Sequence, residues 1–393
     1  MGFFRKSSIL GLDIGSHSIK LVEVKHTRGG PIITFAKSVP IAREQEEDTD
    51  YVADIAIGEA LRELLGKSKL RSKRVITAVS SALEAQVTIL PNFFIPNLVQ
   101  NLPKATIKES VMAEAVNQAH IPFSADFAVA DCDVLKENTV GGRKGLEVFF
   151  FAIHRDLIDS QFRLLRSVGL IPIAIDVDFL ALARLLGFTN QLPDDEDIAI
   201  IDIGAFKTSV GFYQHGRLHI YPHVPIAGEN LTIEVSQQLS ISWEEAEERK
   251  KNAGCGVSTP TPPEEGKEVQ NAEFGNSVPF VNRTSEPEEQ LSAGVSEVIQ
   301  WALEGGLYPQ LQSQFDFYEA EFHDFKLSKI FSAGGTSQLS NLDEFLADHL
   351  SIPVENVSYL DSIPMDAKGD VSEIKGNEPL FATAVGLALK KKL

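Results

Sequence analysis

The chain has 393 residues, of which 43% are hydrophobic and 23% charged, and this composition predicts a globular protein with two or more cores. Its formal net charge of −19 argues against nucleic-acid binding, because phosphate backbones are bound through dense Lys and Arg. Two cysteines, Cys132 and Cys255, lack metal-ligand spacing and favour a reducing cytoplasm. No apolar run reaches the roughly 20 residues that span a bilayer.

The first elements predict a meander of strands followed by a helix. Apolar alternation indicates strands near Ile9 to Asp13, Ser18 to Lys25 and Pro31 to Val39. After the charged loop REQEEDTD, apolar residues at helical spacing predict a helix over 52–67. The strand RVITAVS then completes the first group of elements.

The pattern changes over 82–153, which reads as an inserted strand–helix–strand–strand module. The strand AQVTIL precedes a loop rich in Pro and Asn, PNFFIPN, and an amphipathic helix, IKESVMAEAVNQAH. Two strands follow, separated by the predicted turn ENTVGGRKG. A helix, the strand IPIAIDVD and the helix FLALARLLGF return to the first unit, so that 1–81 and 154–190 form one half.

The second half is predicted over 191–393, after the linker TNQLPDDED. It opens with another strand–turn–strand pattern, and helices follow from about Gly228. Residues 252–289 are rich in Pro, Gly, Ser, Thr and Glu and lack periodicity, which predicts a mobile acidic insertion. A long helix, the strand KLSKIFSAGG and two further helices close the chain.

Two aspartate turns, ILGLDIGSHSIKLVEV and IAIIDIGAFKTSVGFY, lie about 190 residues apart and resemble each other. Each places a carboxylate at a strand end and a glycine turn with hydroxyls after it, which suits a Mg-triphosphate. An ordinary hairpin explains either turn alone, and the pairing favours two half-domains that bind one nucleotide. The predicted phosphate-loop residues are Gly11, Asp13, Gly15, Ser16 and Ser18 in the first turn and Asp202, Gly204 and Thr208 in the second.

Both aspartates are predicted to hold Mg²⁺ through water, because Mg²⁺ dehydrates reluctantly. The segment Gly334-Gly335-Thr336 follows a strand and precedes a helix. Two glycines there allow adenine and ribose to lie against the backbone, although a lone Gly-Gly is more often a simple turn.

The order of these motifs, with GENLTIEVSQQL and FATAVGLALKK, resembles the PilM family of type IV pilus assembly proteins, relatives of FtsA and MreB. The resemblance covers the chain except 252–289. It implies an α/β actin-like ATPase fold with two ribonuclease-H-like halves and an inserted module similar to that of FtsA. It also implies a cytoplasmic protein at the inner face of the bacterial inner membrane.

The resemblance implies further site residues. Gly228 is similar to a glycine that opens a helix in these relatives, or it forms a plain turn. Glu247 and Lys250 resemble a pair that contacts ribose or adenine, and a solvated helix face explains them nearly as well. Asp176 is a candidate for orienting the attacking water, whereas Asp178 suits a helix N-cap.

The implied partner is the N-terminal peptide of a PilN-like bitopic inner-membrane protein, bound beside the inserted module, together with pilus platform and motor ATPases. Phe93 and Phe94 are candidates for an apolar rim, with core packing as the alternative for at least one. Three functions compete: an ATP-binding pilus scaffold with at most slow hydrolysis, an FtsA-like membrane-associated filament former, and a metabolic kinase on the same fold. The inserted module argues against the kinase.

Overall fold

The computed structural model describes residues 7–42, 50–80, 83, 86–118, 120–193, 195–255, 294–322 and 326–390. The chain divides into two compact units. The first comprises Met1–Ile198, Gly211–Tyr221 and Val357–Leu393, and the second comprises Ala199–Val210 and Pro222–Asn356. The insertion predicted over 252–289 lies outside the described residues from position 256 onward.

The described part of the chain contains both strands and helices. The strands are β1 (Ser7–Ile14), β2 (Ser18–Thr27), β3 (Gly30–Pro40), β4 (Arg74–Val79), β5 (Val87–Pro96), β6 (Ala128–Val140), β7 (Arg143–His154), β8 (Ile171–Val177), β9 (Asp197–Ile203), β10 (Thr208–Gln214), β11 (Arg217–Ile220), β12 (His223–Val224), β13 (Leu327–Ala333), β14 (Val354–Asn356) and β15 (Met365–Asp370). The helices are α1 (Asp50–Gly66), α2 (Lys104–Asn117), α3 (Arg155–Ser167), α4 (Asp178–Phe188), α5 (Gly228–Leu239), α6 (Trp243–Ala253), α7 (Val295–Ala302), α8 (Tyr308–Glu321), α9 (Leu342–Leu350) and α10 (Glu378–Ala388).

The first unit is built on a six-stranded sheet in the order β15-β3-β2-β1-β4-β8. The meander β1-β2-β3 is antiparallel, and β4 and β8 extend it as parallel strands. Alternate side chains of β1 enter different clusters: Leu10 and Leu12 pack with residues of α1 and α3, and Ile9 packs with residues of α4 and α10. Because helices cover both faces, the strands are apolar on both sides.

Two glycines allow α10 to lie directly on its neighbours. A Cβ atom at Gly11 would overlap the carbonyl oxygen of Ala384 in α10. A Cβ atom at Gly386 would overlap the carbonyl oxygen of Ala181 in α4. Glycine at position 11 is therefore required for close backbone packing, and its part in the phosphate loop stays a prediction.

The inserted module forms its own three-stranded antiparallel sheet in the order β5-β7-β6, with α2 packed on one face. The strand–helix–strand–strand order predicted from the sequence is confirmed. The predicted loop PNFFIPN is wrong, because the register shift between Leu90 and Phe93 lets β5 continue through this segment as a bulged strand. The turn between β6 and β7 is also shorter than predicted, and Gly141 and Gly142 supply its two positive φ angles.

A second sheet carries the second aspartate hairpin, in the order β11-β10-β9-β13-β14, with β12 paired to β10. The core strand β9 buries Ile198, Ile200, Ile201 and Ile203. The parallel pair β13-β14 ends beside α9. This arrangement places the end of β9 and the end of β13 in the same part of the second unit, which brings two of the predicted motifs together.

Among the described residues, no helix is both long and apolar enough to cross a membrane.

Candidate functional site

The first aspartate hairpin lies in the first unit, where β1 turns into β2. The Gly15 N–H donates to the Ser18 carbonyl over 3.1 Å, which closes the turn and leaves Ser16 exposed at its tip. Asp13 faces Lys20 across the antiparallel pair, and the Lys20 Nζ atom lies 3.4 Å from Asp13 Oδ2. The structure thus groups the predicted residues Asp13, Gly15, Ser16 and Ser18 at one strand end.

Lys20 was missed by the sequence analysis. It could have been predicted from the alternation of side chains along β2, which places Lys20 on the same side of the hairpin as Asp13. A Cβ atom at Gly15 would lie only 2.8 Å from the Lys20 Nζ atom, so the glycine leaves room for the ammonium group beside the turn. A cation here can neutralise an anion that approaches Asp13.

The second hairpin repeats the geometry of the first. The Gly204 N–H donates to the Lys207 carbonyl over 3.0 Å, and this matches the bond from Gly15 to a residue three positions later. The similarity of the two sequence motifs therefore extends to their backbone hydrogen bonds. Asp202 takes the place that Asp13 has in the first hairpin, one residue before the end of β9.

The second hairpin also caps the helix α5. The Gly204 carbonyl accepts the Gly228 N–H over 3.2 Å, and the Ala205 carbonyl accepts the Glu229 N–H over 2.7 Å. These amides belong to the first turn of α5, whose N–H groups have no partners within the helix. Gly228 thus opens a helix whose first turn is docked on the aspartate loop.

The predicted adenosine segment contacts the same loop. The Thr336 hydroxyl donates to the Gly204 carbonyl over 2.7 Å. Gly334 has φ of +91°, and a Cβ atom there would lie 2.5 Å from Asp202 Oδ1. Glycine is therefore required at 334 both by its backbone conformation and by the closeness of Asp202. A Cβ atom at Gly228 would overlap the Thr336 hydroxyl in turn.

Glu247 and Lys250 join this group from α6. Lys250 is 7% exposed, and its Nζ atom lies 2.6 Å from Glu247 Oε2, 2.9 Å from the Gly228 carbonyl and 2.7 Å from the Thr232 hydroxyl. The Thr232 hydroxyl lies 2.6 Å from Glu247 Oε2 as well. The alternative of a solvated helix face does not fit this buried arrangement.

Burial and ion pairing shift the pKa values of both Glu247 and Lys250. Burial raises the pKa of Glu247, but the attraction of Lys250 and hydrogen bonds from Lys250 and Thr232 outweigh it and bring the value to about 2. Burial lowers the pKa of Lys250, and the attraction of Glu247 opposes that change. The carboxylate is therefore ionised at neutral pH and holds the ammonium group against the first turn of α5.

Two of the predicted hydroxyl ligands have protein partners. Thr208 is fully buried and donates to the Ile226 carbonyl over 2.7 Å. The Thr336 hydroxyl is directed to Gly204, as described above. Both threonine hydroxyls therefore donate to the backbone and stabilise the loops. Gly335, in contrast, is exposed at the start of a short 3₁₀ turn, Thr336–Gln338.

The structure gives Asp176 a role in packing. Its Oδ2 atom accepts hydrogen bonds from Arg184 over 2.6 Å and from Lys390 over 3.0 Å, and its Oδ1 atom accepts the Val177 N–H. The side chain is only 6% exposed. Because both oxygens are engaged, the geometry argues against the predicted role in orienting water. The prediction that Asp178 is the N-cap of α4 was wrong by one position: Val177 is the N-cap, and Asp178 is the first residue of the helix and accepts the Phe179 N–H.

The two candidate partner residues, Phe93 and Phe94, lie on opposite sides of β5. Phe93 is 8% exposed and packs against the rings of His120 and Phe150 in the core of the module. It therefore does not line an exposed rim. Phe94 is half-buried on the opposite side of β5, where its ring approaches Gly145.

Among the residues that the structure describes, no three His, Cys, Asp or Glu side chains are grouped to hold a metal ion. Each hairpin offers one carboxylate, Asp13 or Asp202, and a single carboxylate fits Mg²⁺ that keeps most of its water.

Comparisons with known sequences show which protein families the chain matches. The family described as "Type IV pilus assembly protein PilM" matches residues 11–259, and "Cell division protein FtsA" matches residues 199–386. FtsA of Pseudomonas aeruginosa is 23% identical over 224 residues, 55% of this chain and 48% of that protein. FtsA of Staphylococcus epidermidis is 23% identical over 261 residues, 62% of this chain and 54% of that protein. The chain spans about half the length of these curated relatives.

A solved structure shares the fold over nearly the whole chain. It is the PilM-PilN type IV pilus biogenesis complex, with a TM-score of 0.73, 23% identity and coverage of 98% of both chains. The predicted α/β fold of the actin-like ATPases is thereby confirmed. Because the model of the PilM family matches residues 11–259, well over half of the chain, the protein belongs to the type IV pilus assembly PilM family.

Proposed function

We propose that the chain is an ATP-binding scaffold of the type IV pilus assembly machine. The observation that carries this proposal is the Gly204 carbonyl, which joins the aspartate loop, the start of α5 and the adenosine segment by two hydrogen bonds. Three segments that are far apart in sequence are folded around one glycine. Main-chain segments that meet at a glycine in this way are typical of a nucleotide site, because glycines let a ligand approach the main chain.

The nucleotide would be held by local groups, since the chain as a whole is strongly acidic. Gly334 and Gly335 would lie against adenosine, with Lys250 and Glu247 beside the ribose. Asp202 would hold Mg²⁺ through water, the role that is predicted for Asp13 in the first hairpin, where Lys20 would stabilise phosphate oxygens. Mg²⁺ supplies neutralisation of the phosphate charge when it is bound. The FtsA match over 199–386 spans all of the predicted second-unit residues, which supports this use of them.

We infer binding with at most slow hydrolysis. The one residue predicted to orient water, Asp176, has both oxygens occupied by Arg184, Lys390 and the backbone. Fast phosphoryl transfer needs a group that positions the nucleophile. The role of the nucleotide would then be to stabilise a conformation that binds partners.

The proposed partner is the N-terminal peptide of a PilN-like bitopic inner-membrane protein, which would connect the chain to the pilus platform and motor ATPases. The similar solved structure is a complex of PilM with PilN. The inserted module suits such a role, since exposed strand edges and apolar surface are common means of binding an extended peptide. This function places the chain at the inner face of the membrane.

Asp202→Ala should abolish measurable Mg-ATP binding, because the variant loses the carboxylate at the end of β9. Isothermal titration calorimetry of the full chain with Mg-ATP measures this affinity. Asp316→Ala is the matched control, since Asp316 is an exposed acid on α8 of the same unit, and it should bind as the wild type does. Equal affinity in Asp202→Ala and the wild type would rule out the site.

Glu247→Gln should lower the free energy of unfolding at pH 7, because it leaves Lys250 buried without its counter-ion. The folded-state pKa of Glu247, about 2, lies below the ordinary value of 4.5. Its stabilising effect is therefore fully present above pH 4.5 and is lost as the pH falls toward 2. The difference between the wild type and the variant should shrink over that window in urea unfolding followed by tryptophan fluorescence.

The control is Glu245→Gln on the same helix, where Glu245 and Arg249 form a pair with both side chains 48% exposed. Exposed pairs of this spacing contribute roughly 0.3–0.5 kcal/mol. A Glu247→Gln variant no less stable than Glu245→Gln at pH 7 contradicts the buried-pair account.

A synthetic peptide from the N-terminus of the co-encoded PilN-like protein should bind the wild type and not a variant in which residues 82–153 are replaced by a short Gly-Ser linker. Fluorescence polarisation of the labelled peptide measures binding. Retained Mg-ATP affinity in the variant shows that the rest of the chain is folded. If that folded variant binds the peptide as well as the wild type does, the inserted module is not the partner site.

A further inference from the structure

A basic loop connects α1 to β4 in a chain that is acidic as a whole. Residues 67–74 read KSKLRSKR, so five of these eight residues are Lys or Arg and none is Asp or Glu, whereas the formal net charge of the chain is −19. All five basic residues are exposed: Lys67, Lys69, Arg71, Lys73 and Arg74. None of them belongs to the candidate nucleotide site.

The loop lies at one end of the first unit, beside the end of α3. The Lys73 carbonyl accepts the Ile171 N–H over 2.8 Å, and Arg74 pairs with Ile171 where β4 and β8 begin. Arg163 and Arg166, in the last turns of α3, are exposed as well. We refer to loop 67–74 and these two arginines as the basic surface.

The backbone of the loop is held by a buried carboxylate. Glu23 in β2 is 1% exposed, and its Oε1 atom accepts the N–H groups of Arg71 and Ser72 over 2.8 and 2.9 Å. Its Oε2 atom accepts the Thr34 hydroxyl over 2.7 Å. The Ser72 hydroxyl accepts the Arg74 N–H over 3.0 Å. The loop is therefore fixed in shape, while its basic side chains remain exposed.

Most of the positive charge of the basic surface is not neutralised by carboxylates of the described residues. Lys67 pairs with Glu63 over 2.7 Å, and Arg71 pairs with Asp366 over 3.1 Å. The remaining basic residues form no ion pair within the described part of the chain: Lys69, Lys73, Arg74, Arg163 and Arg166. A surplus of positive charge is thus presented to solvent.

Stabilisation of helix ends explains only part of this surplus. Basic residues at a helix C-terminus interact favourably with the helix dipole, and Lys67 and Arg166 have suitable positions at the ends of α1 and α3. The effect falls off within the last turn of a helix. Lys69, Lys73 and Arg74 lie beyond that turn, so their charge is available to an external anion.

The arrangement suits an anionic surface better than one small anion. A single phosphate is commonly held by successive backbone N–H groups, but those of Arg71, Ser72 and Arg74 are already bonded within the protein. The cations are spread over a loop and a separate helix, and Ile171 beside them is 54% exposed. A membrane offers many phosphates at once and accepts apolar side chains at its interface, and clusters of Lys and Arg are typical of proteins that bind anionic lipids.

We propose that the basic surface contacts an anionic phospholipid membrane directly. Lys69, Lys73 and Arg74 attract the headgroup phosphates, and Ile171 enters the interfacial region. The proposal goes beyond the proposed function, in which the chain reaches the membrane through a partner peptide. It does not depend on nucleotide binding, because β1 and β4 are parallel, which places the start of β4 and the first aspartate turn at opposite ends of the sheet.

Co-sedimentation of the full chain with lipid vesicles tests the proposal. The wild type should sediment with vesicles of equal parts phosphatidylglycerol and phosphatidylcholine, and not with vesicles of phosphatidylcholine alone. Lys69→Gln/Lys73→Gln/Arg74→Gln should lower the partition coefficient at least about tenfold, since each Lys or Arg near an anionic surface contributes about fivefold. Raising the ionic strength from about 0.1 to about 1 M shortens the Debye length from about 10 to about 3 Å and should release the wild type.

Arg143→Gln/Lys144→Gln/Arg217→Gln is the matched control, because it removes the same charge from exposed residues outside the basic surface. It should bind the vesicles as the wild type does. Glycerol 3-phosphate, added at the concentration of accessible lipid phosphate, should not displace the wild type, as it would from a site for one small anion. The proposal is overturned if the wild type does not sediment with the anionic vesicles, which would favour an acidic protein as the partner. It is also overturned if the two triple variants bind equally or if glycerol 3-phosphate displaces the chain.

Discussion

The second unit depends on the hydrogen bonds that the loop after Asp202 accepts. The Gly204 carbonyl accepts the Thr336 hydroxyl and the Gly228 N–H, and the adjacent Ala205 carbonyl accepts the Glu229 N–H. The loop thereby satisfies the unpaired amides of α5, while the Thr336 hydroxyl links the end of β13 to the same point. A change in this loop would move the helix and the adenosine segment together.

The close approach of these segments explains why positions 228 and 334 are occupied by glycine. Gly228 and Gly334 lie where a Cβ atom would meet the Thr336 hydroxyl or the Asp202 carboxylate. The pair of Glu247 and Lys250 then fixes α6 against the first turn of α5, with Lys250 donating to the Gly228 carbonyl. A buried pair of this kind is costly to separate, because each charge alone would lack solvation. The site is therefore preorganised by backbone contacts and one buried ion pair.

Much of this arrangement could be predicted from the sequence, because it depends on local patterns. The repeated Asp-Ile-Gly turns predicted two similar hairpins, and the bonds closed by Gly15 and Gly204 are equivalent. The order of elements also predicted the inserted module and the family. Lys20 could have been found from the strand alternation that places it opposite Asp13.

The rest depends on contacts between distant residues, which no local pattern reveals. Asp176 resembles a catalytic carboxylate in sequence, yet Lys390, 214 positions later, engages it. The hydroxyl of Thr208 has the spacing of a phosphate ligand, but it donates its hydrogen bond to the Ile226 carbonyl. The bulge in β5 turned an expected loop into a strand and buried Phe93 in the core of the module. In each case tertiary packing overrides the local signal.

The most direct test of the account is the Mg-ATP affinity of Thr336→Val, measured by calorimetry beside Thr336→Ser. Valine keeps the size of the side chain and removes the donor to the Gly204 carbonyl, whereas serine keeps the donor. The account predicts an affinity about fivefold lower for the valine variant, the factor that corresponds to about 1 kcal/mol for one hydrogen bond, and near wild-type affinity for the serine variant. Wild-type affinity in Thr336→Val would contradict the claim that the Gly204 carbonyl organises the nucleotide site.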